Sequence, residues 1–173
     1  MGVDIHMKLI HKDGEMINSN LYDGRDSEWF DNLINNGFDT TGVYNELQKY
    51  MEPGLPLNAA EEDKNNLKTA GYYGAHQINL VDYKFWYDNY KPHVYAGWIT
   101  IYQEWVYITK GIPVEVDAIK LDLTTEDNPA NYVFREFTNE YDCNTLIIKQ
   151  IMNSKNIDIS NLDEYIIYFY FDC

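Results

Sequence analysis

The sequence predicts an α+β fold: a single domain over residues 1–173, with a mainly antiparallel sheet packed by four to five short helices. An N-terminal β-hairpin and a C-terminal strand are expected at its ends. Three observations predict this. The chain opens on a period-2 alternation, with Val3, Ile5, Met7 and Leu9 apolar and Asp4, His6 and Lys8 between them. It closes on an apolar run from Tyr165 to Phe171. Between them lie short stretches of helical spacing, each with its own stop signal. No internal repeat, linker or low-complexity tract interrupts the order.

Taken in order, Val3–Ile10 is a strand with Asp4 and His6 side by side on its exposed face. Asp13-Gly14 supplies a turn, and Met16-Ile17 starts the partner strand. Asp26 or Ser27 caps a helix to Asn36, with Trp29, Phe30, Leu33 and Ile34 as its apolar face and Gly37 as its stop. A second helix follows Thr41, with Val43, Leu47 and Tyr50 or Met51 on one side. Pro53 and Pro56 end it, because proline cannot continue a helix.

Ala59–Thr69 is polar and helix-prone, and Gly71 and Gly74 break the chain around Tyr72-Tyr73. For 78–90 the pattern supports helix and strand equally. Thr100 and Gln103 stand in capping-box spacing before Ile101, Trp105 and Ile108, and Gly111 and Pro113 give a stop. Residues 101–110 are therefore expected to be a helix, against a strand alternative raised by their Ile, Val, Tyr and Thr content. Val114–Leu123 alternates and is expected to be a strand, and Thr125–Pro129 a loop. Asn144–Asn153 is a helix burying Leu146, Ile147, Ile148 and Ile151. The Asn, Asp and Ser content of 153–162 marks a loop, and Tyr165–Phe171 a central strand buried on both faces.

Composition narrows the function. The 173 residues carry 28 acidic side chains against 13 Lys and Arg, a formal net charge of −15. A chain this acidic lacks the cations that direct nucleic-acid binding and anionic membranes require. Its 16 % aromatic content separates it from disordered acidic tails. The excess is beyond the magnitude of about 2–8 that solubility asks of a small domain. A surface imitating a polyanion, and so competing for a basic groove, would account for it. The tight group Glu61-Glu62-Asp63 is the natural candidate for such a surface. Two cysteines, Cys143 and Cys173, form no disulfide framework and read as reduced thiols. No apolar run reaches the roughly 18 residues of a membrane span. The N-terminus shows no signal-peptide pattern, and His6 stands where a myristoylation motif needs Ser or Thr. A cytoplasmic location is expected.

Candidate chemistry is sparse. Asp4-x-His6 puts a carboxylate and an imidazole on one strand face, as an orienting pair for general base chemistry or as two ligands of Zn²⁺ or Mn²⁺. His93 or His76 would have to complete such a metal site; otherwise no cofactor is expected. Cys143, beside Asp142 and Asn144, reads as a buried thiol. The aromatic run through 83–107, with Tyr95 and Trp98, is either core or a stacking platform for a nucleobase. Lys84, Lys91, His93 and Arg25 would then face the phosphates. Arg25 and Arg135 are the two arginines, each a salt-bridge partner or an anion clamp. There is no P-loop, dinucleotide fingerprint, CxxC or HExxH.

Met1-Gly2-Val3-Asp4-Ile5-His6 resembles the opening of a group of bacteriophage and prophage proteins that begin Met-Gly-Cys-Asp-Ile-His. Gly54-Leu55-Pro56 is similar to their Arg-Gly-Leu-Pro segment. His93 with Gly97-Trp98-Ile99-Thr100 is similar to their His-Ser-x-Ser-Trp-Leu-Thr segment, and Tyr168–Asp172 to their Phe-Trp-Phe-Asp ending. Val3 and Pro53 depart from the pattern, where the group has Cys and Arg, so a metal ligand supplied by that Cys would be missing here. The resemblance implies a phage accessory protein acting in an infected bacterial cell, and it singles out Asp4, His6, His93 and Trp98. By analogy such a protein counters a host defence factor, either a nucleic-acid-targeting enzyme or a nucleotide-signalling system. The expected function is thus a non-enzymatic acidic inhibitor, possible as a homo-oligomer. The alternative is a small metal-dependent hydrolase or nucleotide-binding protein using Asp4, His6 and His93.

Overall fold

A computed structural model describes residues 3–25, 43–90, 94–112, 114, 118–138 and 143–172, with the backbone alone at 94, 95, 137 and 138. The fold is α+β with a mostly antiparallel five-stranded sheet, a small second sheet and several helices. The chain divides into two compact units, residues 1–91 with 147–173, and residues 92–146.

The first unit is built on the expected hairpin. Strands β1 (Asp4–His11) and β2 (Met16–Gly24) pair antiparallel around the Asp13-Gly14 turn. Gly14 takes φ +99° there, a conformation costly for any residue with a Cβ. Alternation holds along β1: Ile5, Met7 and Leu9 are buried, while Asp4, His6 and Lys8 are half-buried on the other face. Helix α1 (Val43–Gln48) buries Tyr44 and Leu47, so its inward face is centred on Tyr44 rather than on Val43. The two-residue strand β3 (Glu52–Pro53) follows, then helix α2 (Glu61–Asn66).

Strand β4 (Tyr72–Asn79) corrects the expected break at Gly71 and Gly74. The chain stays extended across Tyr72-Tyr73 and absorbs Gly74 in a register shift between Tyr73 and His76. Helix α3 (Leu80–Asn89) starts at once, its first turn capped by the Asn79 side chain, which accepts from the Val81 N–H at 2.9 Å. The ambiguity over 78–90 therefore has a physical source: one asparagine ends a strand and begins a helix. Leu80, Tyr83, Trp86 and Tyr87 are the buried face of α3, and the Trp86 indole N–H donates to the Val43 carbonyl.

The last strand, β7 (Tyr165–Asp172), is central, as the apolar run predicts. The order is β2-β1-β7-β4-β3, with β7 antiparallel to both neighbours. Ile167, Phe169 and Phe171 are buried on one face, Tyr168 and Tyr170 on the other.

In the second unit, β5 (Val94–Thr100) and β6 (Tyr132–Thr138) form an antiparallel ladder that the sequence reading did not assign. Helix α4 (Ile101–Lys110) follows β5 directly. The Thr100–Gln103 capping box is formed on both sides, and the helix ends at Gly111. Of the strand expected over 114–123, Glu115–Asp117 lie outside the described residues, as does Pro113 before it. The described remainder is a loop touching the sheet at one bridge, Lys120 to Trp98. The Lys120 ammonium pairs with Asp127, whose carboxylate also accepts from Thr124, and this folds 120–127 into a turn that no ladder can follow. Those hydrogen bonds, Lys120 first, hold the Asp127 carboxyl well below the usual range. Helix α5 (Cys143–Asn153), whose residues from Ile147 on belong to the first unit, forms where a helix is expected; it buries Ile147, Ile148 and Ile151, whereas Leu146, also expected to be buried, is half-buried. The helix expected from Asp26 or Ser27 to Asn36 lies outside the described residues.

Candidate functional site

Side chains alternate across a sheet, so register decides which polar groups meet. His6 lies opposite Tyr170 and Lys8 opposite Tyr168, with Asp4 opposite Asp172 and Tyr72 opposite Asp172 from the far side. These residues share the face that Ile5, Met7 and Leu9 do not use. Two clusters form on it.

The first surrounds Asp63. This residue is completely buried, which corrects its expected place in a solvated Glu61-Glu62-Asp63 surface group. Glu61 and Glu62 are exposed, but the helical turn carries Asp63 to the other side. Its Oδ1 accepts from the Lys8 ammonium at 2.6 Å and from the Tyr170 hydroxyl at 2.8 Å, and its Oδ2 accepts from Tyr168 at 2.6 Å. Burial pushes the carboxyl up, yet the three donors outweigh it and hold Asp63 below its ordinary value. The same burial, with the carboxylate beside them, raises both phenols, Tyr170 to about 12.

The second cluster is half-open. His6 stands between two carboxylates, with Nδ1 3.1 Å from Asp23 Oδ1 and Nε2 3.2 Å from Asp172 Oδ2. The second contact is close but lies off the hydrogen-bonding direction, so the buried Nε2 atom has no hydrogen bond. The ring packs against Tyr170 at 5.2 Å and Tyr72 at 6.3 Å between centroids. Asp4 is taken by Arg25, whose Nε lies 2.5 Å from Asp4 Oδ1. The structure thus brings Asp4, His6 and Arg25 into one neighbourhood. It ties the imidazole to Asp23 and Asp172 and the Asp4 carboxylate to Arg25. What this arrangement does is bring the ends of β2, β1 and β7 together, through the imidazole between Asp23 and Asp172 and the Arg25–Asp4 ion pair, with Asp23 left open to water at its rim.

The remaining candidates disperse. His93 and Lys91 lie outside the described residues, as does the Tyr95 side chain. Trp98 packs edge-on against Phe134 at 5.4 Å on the small sheet. Lys84 pairs with Asp88 and Arg135 with Glu104. His76 stacks on Phe169 at 5.8 Å. Cys143 is buried. The aromatic run divides: Tyr83 and Trp86 are core, whereas Tyr102, Trp105 and Tyr107 are 69 %, 49 % and 44 % exposed. Among the described residues no group of three or more His, Cys, Asp or Glu is arranged to hold a metal ion. No helix among them is long and apolar enough to cross a membrane.

Sequence reasoning missed Lys8, Asp23, Tyr168, Tyr170 and Asp172. One signal was present: Tyr168 and Tyr170 alternate with phenylalanines in a strand read as apolar throughout, so two hydroxyls had to reach a partner from one face. Compared with protein-family models, curated proteins and solved structures, the chain has no match.

Proposed function

We propose that this chain is a non-enzymatic binding protein whose acidic surface engages a partner with a basic face. One observation carries the reading: seven of the chain's 13 Lys and Arg are engaged by its own carboxylates. Lys8 pairs with Asp63, Arg25 with Asp4, Lys49 with Glu46, Lys64 with Glu61, Lys84 with Asp88, Lys120 with Asp127 and Arg135 with Glu104. Each pairing is one to one, so none of them offsets the −15 surplus, which is left to act on the surroundings. The Arg25–Asp4 ion pair favours this reading over general base chemistry, since the Asp4 carboxylate already serves an internal contact. The likeness to phage proteins directs the search for the partner toward nucleic-acid-handling defence enzymes of a bacterial host, whose grooves are basic.

The test is capture from a bacterial lysate on the immobilised chain, followed by a salt gradient. Retained proteins should be rich in basic surface and elute as salt screens the charges. Retention that is indifferent to salt overturns the reading. So does the absence of any retained protein that, once purified, loses its nucleic-acid activity in the chain's presence.

A further inference from the structure

One contact in the half-open cluster is incomplete. His6 Nε2 is buried without a hydrogen bond, although Asp172 Oδ2 stands 3.2 Å away, and Nδ1 lies 3.1 Å from Asp23 Oδ1. A neutral imidazole carries one N–H, so it can donate to one carboxylate and must turn a lone pair on the other. An imidazolium carries two, one for each. A carboxylate beside each ring nitrogen is therefore complementary to the protonated ring and only half complementary to the neutral one.

The surrounding charges favour the same state. Asp4 and Lys8 flank His6 along β1 on its own face; Asp4 is paired with Arg25, just past β2, and Lys8 with Asp63 of α2. Asp23 faces His6 from β2, Asp172 and Tyr170 from β7, and Tyr72 from β4. Asp4, Asp23 and Asp172 against Arg25 leave the cluster two charges negative around a neutral ring and one negative around a protonated ring. The Tyr170 ring centroid, 5.2 Å from that of His6, lies within the range at which an aromatic ring attracts a cation.

We propose that His6 is a proton-operated clamp on the outer strand of the sheet. In the strand order β2 stands at one end and β7 at the centre, with β1 between them. His6 of β1 lies opposite Asp23 of β2 on one side and opposite Tyr170 of β7 on the other. When the ring takes a proton from water, Nδ1–H donates to Asp23 while Nε2–H donates to Asp172, after a small turn of the Asp172 carboxylate. This fastens the end of β2 through β1 to β7. When the proton leaves, one of the two contacts goes with it. Imidazole changes charge between about pH 5 and 8, where the carboxylates around it stay ionised. The stabilisation is thus present on the acid side of that range and lost on the alkaline side. The clamp acts within the first unit and stands apart from docking by the acidic surface.

Amide hydrogen exchange on the full chain tests it, read at Tyr22–Gly24 and corrected for the intrinsic effect of pH. On going from about pH 8 to about pH 5.5, opening of this strand end should become rarer. The change should be roughly three- to tenfold, the scale of two half-exposed ion pairs. In His6→Gln, which stays polar but gains no charge, the same amides should show no such change. Asp172→Asn, nearly isosteric with the native residue and leaving His6 in place, should lose most of the response. A merely structural histidine predicts that His6→Gln lowers protection equally at both pH values, and that result overturns the proposal. So does a response of the same size in His6→Gln and the native chain, or one that Asp172→Asn leaves whole. Protection that rises toward alkaline pH overturns it as well.

Discussion

Lys8 on β1 and Asp63 on α2 form a 2.6 Å ion pair in which the carboxylate is wholly sealed from water. Removing one partner of such a pair leaves an uncompensated charge, which costs about 3–5 kcal/mol in buried settings. Lys8→Met is therefore expected to lower stability by about 3 kcal/mol, the lower figure applying because the lysine is partly open. In Lys8→Met/Asp63→Asn the orphaned charge is gone, so the double variant should be more stable than the sum of the single losses. Urea unfolding of the four proteins in a double-mutant cycle measures this. Additive losses would show that the pair is not coupled.

The same cluster sets the pH limits of the first unit. Asp63 is held below the ordinary carboxylate value near 4, so it stabilises the fold above that value, and the contribution fades as pH falls through and below it. Tyr170 is raised to about 12, against an ordinary value near 10. Its contribution is complete below pH 10 and is lost above it, because the unfolded chain ionises first. Tyr168, raised for the same reasons, adds to that alkaline loss. Unfolding midpoints across pH should therefore fall at both ends. Tyr170→Phe should flatten the alkaline limb, and a limb unchanged in that variant would assign the loss elsewhere.

Helix α4 owes its start to Thr100, whose hydroxyl accepts from the Gln103 N–H at 3.1 Å, while Gln103 Oε1 accepts from the Thr100 N–H at 2.8 Å. Thr100→Ala removes one side of this box and should cost about 1 kcal/mol. Thr100→Ser keeps the oxygen and should cost less. Helicity and thermal midpoint decide between them, and equal losses in Ala and Ser would mean that the threonine methyl, not the cap, is at work.

Gly97 on β5 marks a close approach rather than a turn. A Cβ built there would stand 2.4 Å from Ile119 Cγ2 and 2.8 Å from the Lys120 carbonyl oxygen. The second of these is backbone, held by the paired bonds between Trp98 and Lys120 at 2.7 and 2.9 Å, so it cannot simply rotate away. Gly97→Ala is expected to cost about 1–3 kcal/mol through overpacking. Amide exchange should show the Trp98–Lys120 bridge opening first. Protection of those amides at the wild-type level would refute the account.

These residues also show what the sequence could and could not reveal. The β1 alternation, the central β7 and the α4 capping box were legible because each is decided within a few residues. The Asn79 junction was local too, but it joins a period of 2 to a period of 3.6, and averaging over 78–90 erased both. Asp63 was illegible for another reason. Its partners lie 55, 105 and 107 residues away, and only the register of β1 on β7 brings Lys8, Tyr168 and Tyr170 to one carboxylate. The loop at 118–123 was misread because alternation describes which way side chains point. It does not say whether a neighbouring strand is free to pair.

Glu61 and Glu62 separate surface charge from fold. Both are exposed, unlike Asp63 beside them, so neutralising them leaves the buried cluster intact. Glu61→Gln/Glu62→Gln moves the net charge from −15 to −13 and should leave the urea midpoint within about 0.5 kcal/mol of wild type. Docking to a basic partner should slow in its association step, because rim charges act on encounter more than on escape. The difference between variant and wild type should shrink as salt is added. Surface plasmon resonance at two salt concentrations reads both effects. If the association rate is unchanged at low salt, the negative surface that guides the partner lies away from helix α2.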